Sequence, residues 1–249
     1  MPAESRNVND KSAHNAAPIS APNSGHAVEF ASSPLAALRE GRLTRRFVQL
    51  FLGLTLYGAS MALMIRSTLG LDPWDVFHQG LMEHTPLSFG MIVIIISGVV
   101  LLAWIPLRQV PGIGTVCNAV VIGIVVDATL LVLPAPESMA LRIVFMVSGI
   151  VLNAVAGGAY IGARLGPGPR DGLMTGLVRR TGRSVRLVRT VIEVTVLAIG
   201  WLLGGTVGVG TVLYAVSIGP LVHIFLPRFT VPAPVASASA LDERQRAVG

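Results

Sequence analysis

The sequence predicts an all-α polytopic membrane protein: six transmembrane helices in two inverted three-helix repeats, each repeat carrying a short half-helix started by Pro and Gly. Three observations predict it. Of 249 residues, 52% are hydrophobic and only 13% charged, whereas an ordinary soluble domain has about 25% charged residues. The apolar residues cluster in blocks about as long as a bilayer core is thick, which takes ~20 helical residues. The second half also repeats the first at an offset of 96: Leu69-Gly70, Pro73, Asp75 and Gly80-Leu81 fall on Leu165-Gly166, Pro169, Asp171 and Gly176-Leu177.

That register holds without a gap. It pairs Gly53 with Gly149, Thr85 with Thr181, Ser88 with Ser184, Gly114-Thr115-Val116 with Gly210-Thr211-Val212, and Gly123 with Gly219. Such self-similarity fixes architecture before any local reading, and it divides the membrane region into repeats over 47–133 and 141–229.

In chain order, residues 1–34 are rich in Ala, Ser, Asn and Pro without apolar periodicity, which predicts a disordered tail and not a secretory signal. The basic stretch 35–46 reads equally as a helix lying on the membrane surface or as a solvated linker. Six apolar blocks follow, at Phe47 to Ile65, Leu87 to Leu107, Gly112 to Leu133, Leu141 to Ala163, Val185 to Gly204 and Val207 to Leu226. Lipid offers the backbone no hydrogen-bond partners, so blocks of this length are expected to be helices. Residues 230–249 return to Ala, Ser and Pro and are expected to be a second disordered tail.

The formal charge of +6 is almost all arginine at the ends of apolar blocks. Nucleic acid is therefore not an expected partner; the positive-inside bias accounts for the charge. It also orients the chain in the membrane with both termini cytoplasmic, because Arg39, Arg42, Arg45 and Arg46 precede the first block and seven arginines from Arg164 to Arg189 flank or fill the fourth connection. Three spans per repeat is an odd number, so the second copy enters from the opposite side. Inverted copies with Pro/Gly-interrupted segments at matching positions point to a central site in secondary transporters, and half-helices dipping in from both sides also suit a channel.

Asp72-Pro73-Trp74-Asp75 reads as a helix start with Asp72 as N-cap and Pro73 at the first position, and Gly168-Pro169-Arg170-Asp171 repeats it with Gly at the cap. Capping alone explains the carboxylates Asp75 and Asp171. The alternative is functional: each following helix is too short to span, and as a re-entrant element its amino-terminal amides and Arg170 suit an anionic group. A short amphipathic helix resting on the surface is the competing placement. His78 reads as a polar face residue.

Ionisable and polar residues inside spans usually face a cavity or a partner. Asp127, its repeat mate His223, and Glu193 are the candidates for a proton or substrate pathway, with Asn118 and Asn153 adding polar side chains. Arg189 lies four residues before Glu193, so a local ion pair explains that acid equally. Gly112, Gly114, Gly123, Gly208, Gly210 and Gly219 are expected to permit close helix packing. Cys117, the single cysteine, reads as a packing residue. No cofactor motif, metal-ligand cluster or nucleophile with a base stands out, so neither a cofactor, a bound metal nor an enzyme is expected.

The stretch from Leu69 to Leu81, the Gly168-Pro169-Arg170-Asp171-Gly172-Leu173-Met174 run, Glu193, and Gly204-Gly205 through Gly208-Val209-Gly210-Thr211 resemble the YczE/YyaS/YitT family of bacterial integral membrane proteins. The resemblance covers about Phe47 to Leu226 and implies a multi-spanning plasma-membrane protein without an assigned substrate or reaction. The expected partners are thus the lipid bilayer and a small-molecule or ion substrate, and a homo-oligomer is compatible with the sequence. The leading function is a transporter or channel. The alternative is a non-transporting membrane helper or scaffold assisting export or biosynthesis of a small molecule.

Overall fold

A computed structural model describes residues 42–232. The segment 1–34, most of the basic stretch 35–46 and all but the first residues of 230–249 lie outside the described residues. Within them are eight helices and no strand: α1 (Leu43–Ser67), α2 (Pro73–Met82), α3 (Phe89–Leu107), α4 (Ile113–Val132), α5 (Met139–Gly162), α6 (Pro169–Thr181), α7 (Val185–Leu202) and α8 (Val209–Phe229). Five of them, α1, α3, α4, α5 and α8, are long and apolar enough to cross a membrane. The helix α7 has 18 residues but carries Arg186, Arg189 and Glu193 in its first half. The helices α2 and α6, at 10 and 13 residues, are too short to span.

Local chemistry explains where the helices begin. Ser88, Ser138 and Ser184 accept from the backbone N–H groups of Met91, Leu141 and Leu187, closing α3, α5 and α7. At α4 and α8 the cap residue is glycine, and the threonine three residues on reaches back: Thr115 Oγ1 accepts from Gly112 N at 3.1 Å and Thr211 Oγ1 from Gly208 N at 3.2 Å.

The helices α1 and α5 cross at their small residues. A side chain on Gly53 would strike Tyr160 N at 2.8 Å, with Ala156 next to it, and one on Gly149 would strike Met64 Cγ at 2.7 Å, with Ser60 next to it. These are the same contacts with the halves exchanged, since Ser60 and Met64 sit 96 positions before Ala156 and Tyr160. The exchange recurs at the half-helices. Leu69 O accepts from Gly210 N at 2.8 Å and Leu165 O from Gly114 N at 2.9 Å. Leu71 N donates to Thr211 Oγ1 at 3.2 Å; at the matching place Pro167 has no N–H, and the hydroxyl of Thr115 instead donates to Pro167 O at 2.7 Å. Gly70 and Gly166, with φ of 119° and 132°, are the left-handed joints that make these approaches possible.

Apolar cores lie where α1, α3 and α4 meet (Leu50, Leu54, Met61, Val93, Ile122, Val126), around Met64, Val76, Met146 and Ile150, and around Trp74, Val100 and Trp104. Large apolar residues such as Leu102, Ile105, Leu131 and Val216 face outward. A soluble surface rarely tolerates a continuous apolar patch of this extent, whereas lipid is its natural solvent.

Three sequence expectations are corrected here. Residues 43–46 are neither surface helix nor solvated linker but the first turn of α1, and Arg46 is buried, donating from Nε to Ala163 O and from Nη2 to Arg164 O, both at 2.8 Å. That guanidinium ties down carbonyls at the end of α5 that no helical N–H reaches. The helix α2 does not rest on a surface: Trp74, Asp75, Val76, His78 and Gly80 are all buried, because it docks on α7, where Gly200 leaves room for Val76 and Phe77. Finally, Gly219 faces open space, with nothing within 4 Å of where a Cβ would stand, so close packing is not its role; Gly112, Gly114, Gly123, Gly208 and Gly210 do contact neighbouring chain closely.

Candidate functional site

The two half-helices start beside one another. Asp72 caps α2 by accepting at Oδ1 from Trp74 N at 2.9 Å and Asp75 N at 3.0 Å. Arg170, in the first turn of α6, reaches across with Nη1 3.7 Å from Asp72 Oδ1 and Nη2 3.5 Å from Asp75 Oδ1, its guanidinium 5.1 Å from the centre of the Trp74 ring. Asp75 Oδ1 also lies 3.3 Å from His78 Nδ1 one turn on. These are loose contacts, since charge-assisted N–H···O bonds close to about 2.7–2.9 Å. The second oxygens of both acids, Asp72 Oδ2 and Asp75 Oδ2, are buried without a hydrogen-bond partner. A buried carboxylate oxygen left so costs several kcal/mol by order of magnitude.

A cavity of about 140 Å³ opens beside the cluster. The starts of both half-helices contribute to it through Asp72, Pro73, Trp74, Arg170, Asp171 and Met174; α7 adds Arg189, Ile192 and Glu193; and Tyr57 of α1 and Tyr214 of α8 close it. Asp171 accepts from the Tyr160 hydroxyl at 2.7 Å, and Arg189 pairs with Glu193 at 2.8 Å. A chain of polar contacts fixes the wall behind: the Tyr214 hydroxyl donates to Asn153 Oδ1 at 3.1 Å, Asn153 Nδ2 to Ser60 Oγ at 2.9 Å, and Ser60 Oγ to Tyr57 O at 2.6 Å. Tyr57 and Tyr160 stack edge-on with ring centres 6.0 Å apart.

The candidates therefore separate. Asp72, Asp75, Arg170, Asp171 and Glu193 gather at one place, Asn153 supports it through Tyr214, and Asn118 lies close to Gly168 at the start of α6. Asp127 is elsewhere: its Oδ2 accepts from the Ser88 hydroxyl at 2.5 Å and its Oδ1 from Gly90 N at 2.8 Å, so it serves the first turn of α3. His223 is exposed on α8 and does not line the cavity. His78 is not a polar face residue, being 1% exposed and held against Asp75. Among the described residues no cluster of three or more His, Cys, Asp or Glu is arranged to hold a metal ion. The tyrosines escaped sequence reading, yet a signal was there: the chain has three, Tyr57, Tyr160 and Tyr214, each inside an apolar block, and each touches this site.

Residues 44–227 match the model of a family of unknown function, DUF6198. The chain is 36% identical over 189 residues, 75% of its own length and 87% of the relative's, to an "Uncharacterized membrane protein YczE" of Bacillus subtilis. It belongs to the YczE-like family. An "Uncharacterized protein" of Haemophilus influenzae is 40% identical over 71% of this chain and 81% of its own. The "Uncharacterized protein YyaS" of B. subtilis is 26% identical over 71% of this chain and 90% of its own. No solved structure matches the chain. Kinship with a YczE-like membrane protein and the five apolar helices together make this chain a membrane protein. The whole site, from Tyr57 to Tyr214, lies inside the matched family region.

Proposed function

We propose that the chain is a transporter or channel for a small molecule or ion, built from two oppositely inserted copies of a three-span unit. The observation that carries this reading is the meeting of both Pro-initiated half-helices at one cavity, which Asp72 lines with a buried, unsatisfied carboxylate oxygen. Non-helical backbone at membrane depth is tolerated where protein or a water-filled cavity surrounds it, and the turns 68–72 and 164–168 preceding α2 and α6 fit that condition. The exchanged contacts across the offset of 96 also support it, since each half grips the other in the same way. In this reading α7 is the sixth span, its Arg186, Arg189 and Glu193 lying at the cytoplasmic end beside Arg179, Arg180 and Arg183, and both chain ends are cytoplasmic in a bacterial plasma membrane.

Metabolite uptake and efflux profiling of a deletion strain tests the reading. A solute pool altered by deletion should be restored by the wild-type chain and not by Asp75→Asn at equal membrane level. Restoration of every altered pool by Asp75→Asn would favour a helper or scaffold role, in which the cavity is incidental.

A further inference from the structure

Acids outnumber bases among the side chains around the cavity. Asp72, Asp171 and Glu193 line it with Arg170 and Arg189, and Asp75 is buried next to Arg170. The amino-terminal ends of α2 and α6 add partial positive charge. Tyr57, Tyr160 and Tyr214 bring hydroxyls, and His78 Nδ1 lies 3.3 Å from Asp75 Oδ1.

Arg170 shows what kind of group is wanted. Its guanidinium lies over the Trp74 ring and beside both acids, yet at 3.5 and 3.7 Å it satisfies neither fully. Asp72 Oδ2 stays without a partner although its side chain is 2% exposed and lines the cavity. The remaining wall is largely aromatic and apolar, with Tyr57, Trp74, Tyr214, Met174 and Ile192. Carboxylate plus aromatic faces is the surrounding that favours an organic cation over an anion. At about 140 Å³ the space suits a molecule near the size of benzene, which an engineered cavity of ~150 Å³ holds.

We propose that this cavity binds a small organic cation with N–H donors, an alkylammonium or alkylguanidinium, its charge against Asp72 and its carbon chain among Trp74, Tyr57 and Tyr214. Arg170 holds the place of that cation when the cavity is empty and falls back on Asp75 when it is filled. The inference rests on the transport reading of the same cavity and names its substrate class.

Binding to the purified full-length chain separates the two ideas, because it is read without transport. The probes are propylammonium and methylguanidinium, with tetramethylammonium (no N–H) and acetate as comparisons. Propylammonium or methylguanidinium at millimolar concentration is expected to raise the melting temperature and to slow modification of Asp72 by a hydrophobic carbodiimide severalfold, as read by mass spectrometry of the peptide containing Asp72. Asp72→Asn, which keeps a capping side chain, should abolish the thermal shift, and Asp127→Asn should retain it. Protection by acetate instead of the cations, a response to pH alone with none to any cation, or a shift that survives in Asp72→Asn would each overturn the proposal. Carbodiimide protection in the wild-type chain keeps the test decisive if Asp72→Asn does not fold. A cation that binds but is never moved across a vesicle membrane would leave this proposal standing and remove the transport reading.

Discussion

Asp72 and Asp127 are both carboxylates that serve the first turn of a helix, Asp72 its own α2 and Asp127, from within α4, that of α3, and their surroundings give them different work. Asp127 receives the Ser88 hydroxyl and Gly90 N, using both oxygens. Asp72 uses one oxygen for α2 and leaves the other buried and unused. Replacing Asp127 by Ala should therefore cost stability, about 1 kcal/mol as for loss of a helix cap, while transport or binding stays unchanged; denaturation of the detergent-purified variant measures it. At Asp72 the pattern reverses: Asn should preserve stability and lose ligand response, whereas Ala should lose both. From the chain alone Asp72 reads as a cap, because its partners are local, whereas Asp127 reads as a pathway residue, because Ser88 and Gly90, which occupy it, are distant in sequence. The same holds for Arg46, whose positive charge reads as a surface feature until the carbonyls of Ala163 and Arg164 are seen against it.

At the scale of elements, the half-helices α2 and α6 are seated by complementary pairs. Val76 packs where Gly200 leaves space on α7, and at the matching place the large and small residues are exchanged: Trp104 of α3 covers Gly172 of α6, with its indole donating to Pro169 O at 3.0 Å. A Cβ on Gly172 would lie 1.9 Å from Trp104 Cζ2. Gly172→Ala is expected to destabilise by about 1–3 kcal/mol through overpacking and Trp104→Ala by about 3–5 kcal/mol through the cavity it leaves. The double variant should be less destabilised than the sum, since the added methyl then meets open space; a double-mutant cycle with no coupling would refute this pairing. Gly70→Ala should cost about 1–3 kcal/mol in the same measurement, from its positive φ and the Thr211 hydroxyl 2.7 Å from the new Cβ. The helix starts were legible from Asp72-Pro73, Ser88, Ser138 and Ser184, because caps act locally. The seat of α2 was not. Lipid tails and protein interior are equally apolar, so the apolar pattern around His78 and Trp74 does not say which of them faces a neighbour.

On the scale of the whole molecule, the register of 96 was the most informative feature in the chain. It pointed to matching small residues, and the structure brings their partners into reciprocal contact: Gly53 with Tyr160 and Gly149 with Met64, Leu69 with Gly210 and Leu165 with Gly114. It pointed to a central site at the two Pro-x-Asp segments but not to the side-chain contacts made there. A repeat relates each copy to the other without giving the distance between them, and Arg170 beside Asp72 and Asp75 is a contact between residues that the register does not pair. The reading of the cavity as a pathway requires those segments to enter from opposite faces, with α7 completing an odd number of spans in each half. In a Cys117→Ala chain, single cysteines at positions 84 and 183, both exposed just beyond the half-helices, can be labelled in intact cells with a membrane-impermeant maleimide. Labelling at 84 from outside, with 183 reached only after the membrane is opened, is the predicted result; equal access to both from one side would contradict the inverted arrangement and, with it, the pathway.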